Sequence, residues 1–171
     1  MLLVCGSVRR NSNTEFVCNH LLNLHQELEY LNLKDLNFPI MGSANDLELN
    51  NTIKEVGSYI SDHEGIIITT PEYHGGMSGA LKNFLDYYSS NEFSDKKVLL
   101  IGTAGGGKGG INALNNLRLV LRSLGANVVA NQVIFDQKDI DKDLGRVDSD
   151  LLKKASEYIL TLSGKTLNEI Y

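Results

Sequence analysis

The stretch GIIITT, residues 65–70, decides the fold because it stays apolar for several consecutive positions. A strand with one face in water alternates apolar and polar residues, and this run does not alternate. The stretches LLVC (residues 2–5) and KVLLIG (residues 97–102) share the same pattern. Continuous apolar strands are typical of a parallel sheet that is covered on both faces. The sequence therefore predicts an α/β protein with helices on both sides of a parallel sheet.

Longer amphipathic segments separate these strands and indicate the helices. Ser12 and Glu15 have the Ser-x-x-Glu spacing of a capping box at the start of the first helix. Leucines at 114, 117, 121 and 124 form a stripe with helical spacing in a later one. The predicted strands are Leu2–Cys5, Leu28–Leu33, Gly65–Thr70, Lys97–Gly102 and Asn127–Phe135; the other predicted helices cover Asn51–His63, Gly79–Tyr88 and Leu151–Leu162.

The alternation of strands and helices predicts how the sheet is connected. A chain of 171 residues is long enough for one domain with a sizeable core, so we expect a single domain over residues 1–171. Right-handed crossovers leave few arrangements of five parallel strands, and the flavodoxin-like order 2-1-3-4-5 is the commonest. We therefore expect a three-layer, doubly wound sheet of flavodoxin-like topology.

Composition and charge exclude several classes of function. The net charge is -5 and no basic run offsets it, which argues against a nucleic-acid binder. No apolar run approaches the roughly 18 residues that cross a membrane. Cys5 and Cys18 lack the spacing of a metal site, and the histidines are scattered. We expect a cytoplasmic protein with reduced thiols and without a metal.

The first candidate loop is GSVRRNSNT, residues 6–14, which joins the first strand to the first helix. Ligands of doubly wound sheets bind at the carboxyl ends of the strands, where a helix N-terminus attracts anions. Arg9 and Arg10 can neutralise a dianion with paired hydrogen bonds. A phosphate monoester therefore suits this loop. The alternative is that Ser12 only caps the helix and one arginine is solvated.

The second candidate loop is TTPEYHGGMSG, residues 69–79. Pro71 stiffens the chain as it leaves the third strand, and three glycines allow a close approach of the backbone to a ligand. Tyr73 and His74 offer ring faces next to backbone amides. This combination favours a planar heteroaromatic ring with polar edges. Glu72 has no acid–base partner nearby in the sequence, and a lone histidine such as His74 is more often a surface residue.

The third candidate loop, GTAGGGKGG at residues 102–110, imitates two nucleotide-binding motifs. Gly102, Gly107 and Lys108 have P-loop spacing, but Gly109 stands where a Ser or Thr should bind Mg²⁺. A dinucleotide fingerprint also fits the glycines, but that motif belongs to the first strand–helix turn and needs an acidic residue about 20 positions later. Two further interpretations stay open: a wall without side chains against a flat ligand, or a flexible turn.

Together the three loops resemble those of the NAD(P)H-dependent FMN reductases, a flavodoxin-like family that includes azoreductases and quinone or chromate reductases. GSVRRNSNT is similar to the family's Gly-Ser-x-Arg-x-x-Ser-x-Asn/Thr phosphate loop. PEYHGGMSGALKNFLDY is similar to its Pro-Glu-Tyr-Asn/His flavin loop, and GKGGINALNNLRLVLRSLGA to the helix after its fourth strand. The resemblance covers nearly the whole chain. Two departures are His74, where many members have Asn, and Ser78, which replaces a frequent Pro.

The resemblance implies an FMN site with three groups of contacts. Its members are Ser7, Arg9, Ser12, Asn13 and Thr14 at the phosphate; Pro71, Glu72, Tyr73, His74 and Gly75 along the isoalloxazine ring; and Thr103, Ala104, Gly105 and Gly106 at the other edge of the ring. It also implies hydride transfer from NADPH or NADH, through FMN, to a quinone, an azo compound or free flavin. The cofactor carries this chemistry, so no side chain is assigned a catalytic role. Family members are commonly homodimers or homotetramers.

Two other functions compete with the reductase. One is a flavodoxin-like electron carrier that binds FMN and serves a protein partner, but a charge of -5 spread over both halves of the chain fits poorly with an acidic docking face. The other is an ATP-binding switch built on the near P-loop, which Gly109 weakens. The arginines of the first loop favour the reductase. Lys108 then has the secondary role of attracting the phosphates of the nicotinamide cofactor.

Overall fold

Five parallel strands form the centre of the structure, a computed structural model that describes residues 1–44, 47–106 and 109–164. The strand order is β2-β1-β3-β4-β5, and all neighbouring strands run parallel. The strands are β1 (Leu2–Cys5), β2 (Glu29–Asn32), β3 (Gly65–Pro71), β4 (Lys97–Thr103) and β5 (Asn127–Phe135). The predicted doubly wound fold and its strand order are confirmed.

Helices cover both faces of the sheet. They are α1 (Asn13–Leu24), α2 (Leu47–Ser61), α3 (Gly79–Asp86), α4 (Ser90–Phe93), α5 (Ile111–Ser123) and α6 (Ser149–Leu162). Apolar residues of α1 and α6 pack on one face, and those of α2, α3, α4 and α5 on the other. No helix within the described ranges is both long enough and apolar enough to cross a membrane.

The apolar strands contribute side chains to two hydrophobic cores, one on each face of the sheet. In β3, the side chains of Ile66 and Ile68 belong to the core under α2, α3 and α5, while Ile67 belongs to the core under α1 and α6. None of the three is more than 1% exposed. Successive residues of a strand point to opposite faces, so a sheet with two covered faces needs apolar residues at every position. This is why the run without alternation predicted the architecture.

Some boundaries differ from the predicted ones. Helix α2 begins at Leu47, before the predicted Asn51, and β2 is shorter than the predicted strand over 28–33. The single turn α4 and a hairpin of β6 (Ile140–Asp141) and β7 (Arg146–Val147) were not predicted. Elements this short contain too few residues to show a periodic pattern.

The predicted capping box of α1 is only half formed. The Ser12 side chain accepts hydrogen bonds from the backbone N–H groups of Thr14 and Glu15, as the motif requires. The Glu15 carboxylate accepts hydrogen bonds from the side chains of Asn32 and Lys34 instead. Glu15 therefore joins α1 to the end of β2, a tertiary contact that replaces the local one.

Candidate functional site

A cleft of about 850 Å³ lies at the carboxyl ends of β1, β3 and β4. Its volume falls in the range of roughly 300–1,000 Å³ that small-molecule sites occupy. All the predicted site residues except Ser7 line this cleft. Four further residues line it that the sequence did not single out as contacts: Asn11, Gly109, Asn112 and Gln137. Gln137 follows β5, a position that the switch-point argument did not consider; Lys108 lies outside the described residues.

The first loop turns sharply at Gly6, directly after β1. The Gly6 N–H donates to the carbonyl O of Thr69 in β3 at 2.9 Å. A Cβ at this position would lie 2.5 Å from the same oxygen and 3.1 Å from a methyl group of Leu81. Such a contact is shorter than the van der Waals limit, so the close approach of β1 to β3 requires glycine here.

Two buried serines hold the first loop together. The Ser12 hydroxyl donates to the Ser7 hydroxyl at 2.8 Å, and Ser7 also accepts from the Arg9 N–H at 3.4 Å. Since Ser12 also accepts two backbone hydrogen bonds as the cap of α1, its hydroxyl is fully occupied within the chain. Ser7 is buried and is not among the residues that line the cleft, so it supports the loop from beneath.

The exposed side of the first loop offers donors to the cleft. Arg9 lines the cleft, whereas Arg10 is exposed and is not among its lining residues. Within the described chain, the N–H groups of Asn11 and Asn13 have no acceptor. Unpaired N–H groups in sequence at a helix N-terminus form a concave, positively polarised surface.

The second loop contains a tight two-residue turn at its tip. Tyr73 and Gly76 exchange two backbone hydrogen bonds of 2.9 and 3.0 Å. The residues between them, His74 and Gly75, have φ angles of +53° and +78°. Positive φ at both central positions is typical of a type I′ turn, which favours Asn or Gly. Histidine is also enriched among non-glycine residues in this conformation, so His74 occupies a position that also suits the Asn of many family members.

Glu72 connects the second loop to α5. Its carboxylate Oε2 accepts a hydrogen bond of 3.0 Å from the backbone N–H of Ala113, in the first turn of α5. The residue at the helix cap, Gly110, has no side chain to do this. A carboxylate at a helix N-terminus also interacts favourably with the helix dipole. Glu72 therefore caps α5 from outside the helix.

Side chains tie the three loops to one another. The hydroxyl groups of Thr14 and Thr103 are 2.7 Å apart and buried, which joins the first loop to the third. The Ser78 hydroxyl donates to the carbonyl O of Gly6, and Ser78 also caps α3 by accepting from the Leu81 N–H. Ser78, which replaces a frequent Pro, thus joins the second loop to the first.

Two thiols lie under the first loop, and both are free and buried. The thiol of Cys18 is 3.2 Å from the hydroxyl of Thr69. A hydrogen bond with Cys18 lowers the pKa of Cys5, and burial raises the pKa of Cys18. Among the described residues there is no group of three or more His, Cys, Asp or Glu side chains placed to hold a metal.

Comparison with known proteins places the chain in a family. The family model of the NADPH-dependent FMN reductases matches residues 1–139. The chain belongs to the NADPH-dependent FMN reductases. The protein is an NAD(P)H-dependent flavin oxidoreductase with FMN as its cofactor, and the competing role of an electron carrier is not favoured.

Individual relatives support the same assignment over most of the chain. An NADPH azoreductase of Bacillus sp. (strain OY1-2) is 36% identical over 168 residues, which cover 93% of this chain and 92% of the relative. An FMN-dependent NADPH-azoreductase of Staphylococcus aureus (strain USA300) is 31% identical over 150 residues, which cover 83% of this chain and 79% of the relative. The solved apo form of an NADH:FMN oxidoreductase superposes with a TM-score of 0.72 at 28% identity. The match covers 96% of this chain and 90% of that protein. The resemblance inferred from the three loops is confirmed.

Proposed function

We propose that the cleft binds FMN with its phosphate at the first loop and its ring between the second and third loops. The observation that carries this proposal is the convergence of all three loops on one cleft, tied by the bond between Thr14 and Thr103. The proposed contacts are those that the sequence predicted, except that Ser12 contributes its backbone N–H, because its hydroxyl is occupied, and Ser7 supports the phosphate loop from below.

The phosphate end is supported by charge and by unpaired donors. Arg9 carries a full positive charge at the edge of the cleft, and α1 directs its N-terminus towards the same loop. The N–H groups of Asn11 and Asn13 have no acceptor within the described chain. Charge-assisted hydrogen bonds of this kind are about twice as strong as neutral ones, so a dianion is favoured over a neutral hydroxyl.

The ring end is supported by open space and by amide groups. A Cβ added at Gly75, Gly105 or Gly106 would have no neighbour within 4 Å, so the backbone is accessible at all three positions. No group within the described chain accepts from the N–H groups of these residues or of His74. The polar edge of an isoalloxazine ring supplies carbonyl and imine acceptors for such donors. A flat, polar-edged ligand fits this wall better than a branched one.

The chain's own residues bind and orient the reactants. Bound FMN supplies the capacity to accept hydride from NAD(P)H and to pass electrons on. The backbone amides of the second loop would stabilise negative charge on the ring without reorganising, because the paired hydrogen bonds of Tyr73 and Gly76 fix that loop. Tyr73 is 42% exposed at the tip of the turn and stands with His74 at the rim of the cleft, where they contact the nicotinamide donor or the acceptor.

The acceptor that we propose is an azo compound, a quinone or free flavin. The azoreductases of Bacillus and Staphylococcus are similar over most of their length, which favours azo compounds. We further propose a cytoplasmic homodimer or homotetramer. Ile40 and Met41 are exposed apolar neighbours on the segment next to α3, and their burial between two subunits would be favourable. Light scattering of the purified protein tests this assembly.

A visible spectrum of the purified protein with FMN, before and after anaerobic NADPH, tests the function. We expect bound flavin to bleach with NADPH and the colour to return when an azo dye or quinone is added. Bound flavin that NADPH does not bleach would instead support the electron carrier. A protein that does not retain FMN would contradict both roles.

A further inference from the structure

The β6–β7 hairpin packs next to the phosphate loop, and its residues lie beyond the range 1–139 that the family model matches. The two strands pair antiparallel, and Ile140 and Val147 pack against the core beneath α1 and α6. The hairpin is therefore anchored to the body of the protein. Its tip extends towards the first loop.

Lys142 makes the main contact between the hairpin and that loop. Its ammonium Nζ donates to the backbone carbonyl O of Asn11 and lies 3.3 Å from the side-chain Oδ1 of the same residue. It also lies 5.9 Å from the centre of the Phe16 ring, within the range of a cation–π interaction. On the other side of the tip, Nε2 of His20 is 3.2 Å from the carbonyl O of Gly145.

Asn11 has a backbone conformation that is unfavourable for a residue other than glycine. Its φ angle is +55°, in the left-handed region that non-glycine residues adopt at a cost. It lines the cleft directly before Ser12, the cap of α1. Because Lys142 contacts both the carbonyl and the side chain of Asn11, it fixes the orientation of the peptide that follows. That peptide carries the N–H group of Ser12, which, like those of Asn11 and Asn13, has no acceptor within the described chain.

Lys142 does not line the cleft, but its contact with Asn11 brings a positive charge to the first loop, which also carries Arg9. Burial and then the positive charge of Arg9 lower the pKa of Lys142. An anion bound at this loop would offset the repulsion that Lys142 experiences from Arg9. A dianionic phosphate at the first loop provides such an anion, whereas the uncharged ribityl chain of riboflavin does not.

We propose that Lys142 is a positioning residue for the FMN phosphate: from the hairpin it holds Asn11 in place, and it adds a positive charge to the loop that carries Arg9. The inference rests on the proposed function, since it takes the first loop as the phosphate site. It extends that site to a segment that none of the three sequence motifs contains.

The test compares FMN with riboflavin, which lacks the phosphate. Flavin-free protein is titrated with each ligand at low ionic strength, following the quenching of flavin fluorescence, for the wild type, Lys142→Met, Lys142→Arg and Lys153→Met. Lys153 is an exposed lysine of α6 that has no hydrogen bond or ion pair with the first loop in the described chain, so its replacement controls for the loss of one charge. We expect Lys142→Met to raise the Kd of FMN about fivefold and to leave that of riboflavin unchanged. Lys142→Arg and Lys153→Met should bind FMN like the wild type.

Several outcomes overturn the inference. Equal weakening of FMN and riboflavin would mean that Lys142 only stabilises the fold, and unchanged FMN binding with a lower Tm would mean that it only anchors the hairpin. An unchanged Kd of FMN with a raised KM for NADPH would assign Lys142 to the nicotinamide cofactor. A different result would contradict the proposed function itself: a wild-type protein that binds FMN no more tightly than riboflavin.

Discussion

Glycine contributes to this protein in two ways at the residue scale. Gly6 allows β1 to approach β3 more closely than any side chain would permit, because its Cβ would lie 2.5 Å from the carbonyl O of Thr69. Gly105 and Gly106 have open space around the same position and so leave the wall of the cleft bare. The first role concerns the stability of the fold, and the second concerns access to a ligand.

Gly6→Ala should therefore destabilise the protein. Relieving the contact with Thr69 requires β1 and β3 to move apart, and overpacking of this kind costs about 1–3 kcal/mol. Chemical denaturation in urea measures the change in the free energy of unfolding. Gly79→Ala is the matched control, since its Cβ would meet no atom within 4 Å at the start of α3. A Gly6→Ala variant as stable as the Gly79→Ala variant would contradict the assigned role.

His74 is held in the left-handed region by the turn and not by its own side chain. Because the side chain is exposed, a substitution there changes mainly the backbone energy. His74→Val should lower the free energy of unfolding by about 1–2 kcal/mol, the cost of placing a β-branched residue in this region. His74→Asn should match the wild type in urea denaturation. Equal stability of the Val and Asn variants would show that the turn relaxes to another form.

At the scale of the element, α5 depends on a residue outside itself. Gly110 gives α5 no side-chain cap, and the Glu72 carboxylate supplies the missing acceptor to Ala113. This arrangement couples the start of α5 to the loop after β3. The orientation of Asn112, which lines the cleft in the first turn of α5, then depends on Glu72.

Glu72→Ala should weaken this coupling. Loss of a helix cap costs about 0.5–2 kcal/mol, and hydrogen exchange at the N–H of Ala113 should accelerate. Glu72→Gln keeps an oxygen acceptor but loses the interaction of charge and dipole, so its stability should lie between those of the Ala variant and the wild type. Glu55→Ala removes an exposed carboxylate of α2 and serves as the control. Unchanged exchange at Ala113 in the Glu72→Ala variant would refute the cap.

At the scale of the whole molecule, the site exists because distant loops are joined. Thr14 and Thr103 are separated by 89 positions in sequence, yet their hydroxyl groups form a buried hydrogen bond. Thr103→Val should cost about 1–3 kcal/mol, because it leaves the Thr14 hydroxyl buried without its partner. The double variant with Thr14→Val should cost less than the sum of the single changes, as measured by a double-mutant cycle in urea. Additive effects would mean that the two hydroxyl groups do not depend on each other.

The sequence predicted the sheet and the three loops from local patterns, and it predicted the strand order because right-handed crossovers leave few arrangements. The run at 65–70 carried the architecture, since a doubly covered sheet needs apolar residues at every position of a central strand. The partners of Glu15 and Glu72 were not predictable, because both carboxylates bind residues of other elements. The contact of Lys142 with Asn11 was not predictable either, because it also joins distant elements. In addition, a hairpin of two-residue strands has no periodic signal in the sequence.

The bare wall at Gly105 and Gly106 has a consequence for how this protein changes over time. Any substitution of these glycines would add a side chain in the space that the proposed ligand occupies, so selection for flavin binding would keep both positions as glycine. Tyr73 and His74 stand at the rim of the same cleft and can be exchanged freely as long as the turn tolerates the new residue. Under the proposed binding mode, descendants of this sequence can acquire new electron acceptors through changes at the rim while the wall and the cofactor stay unchanged.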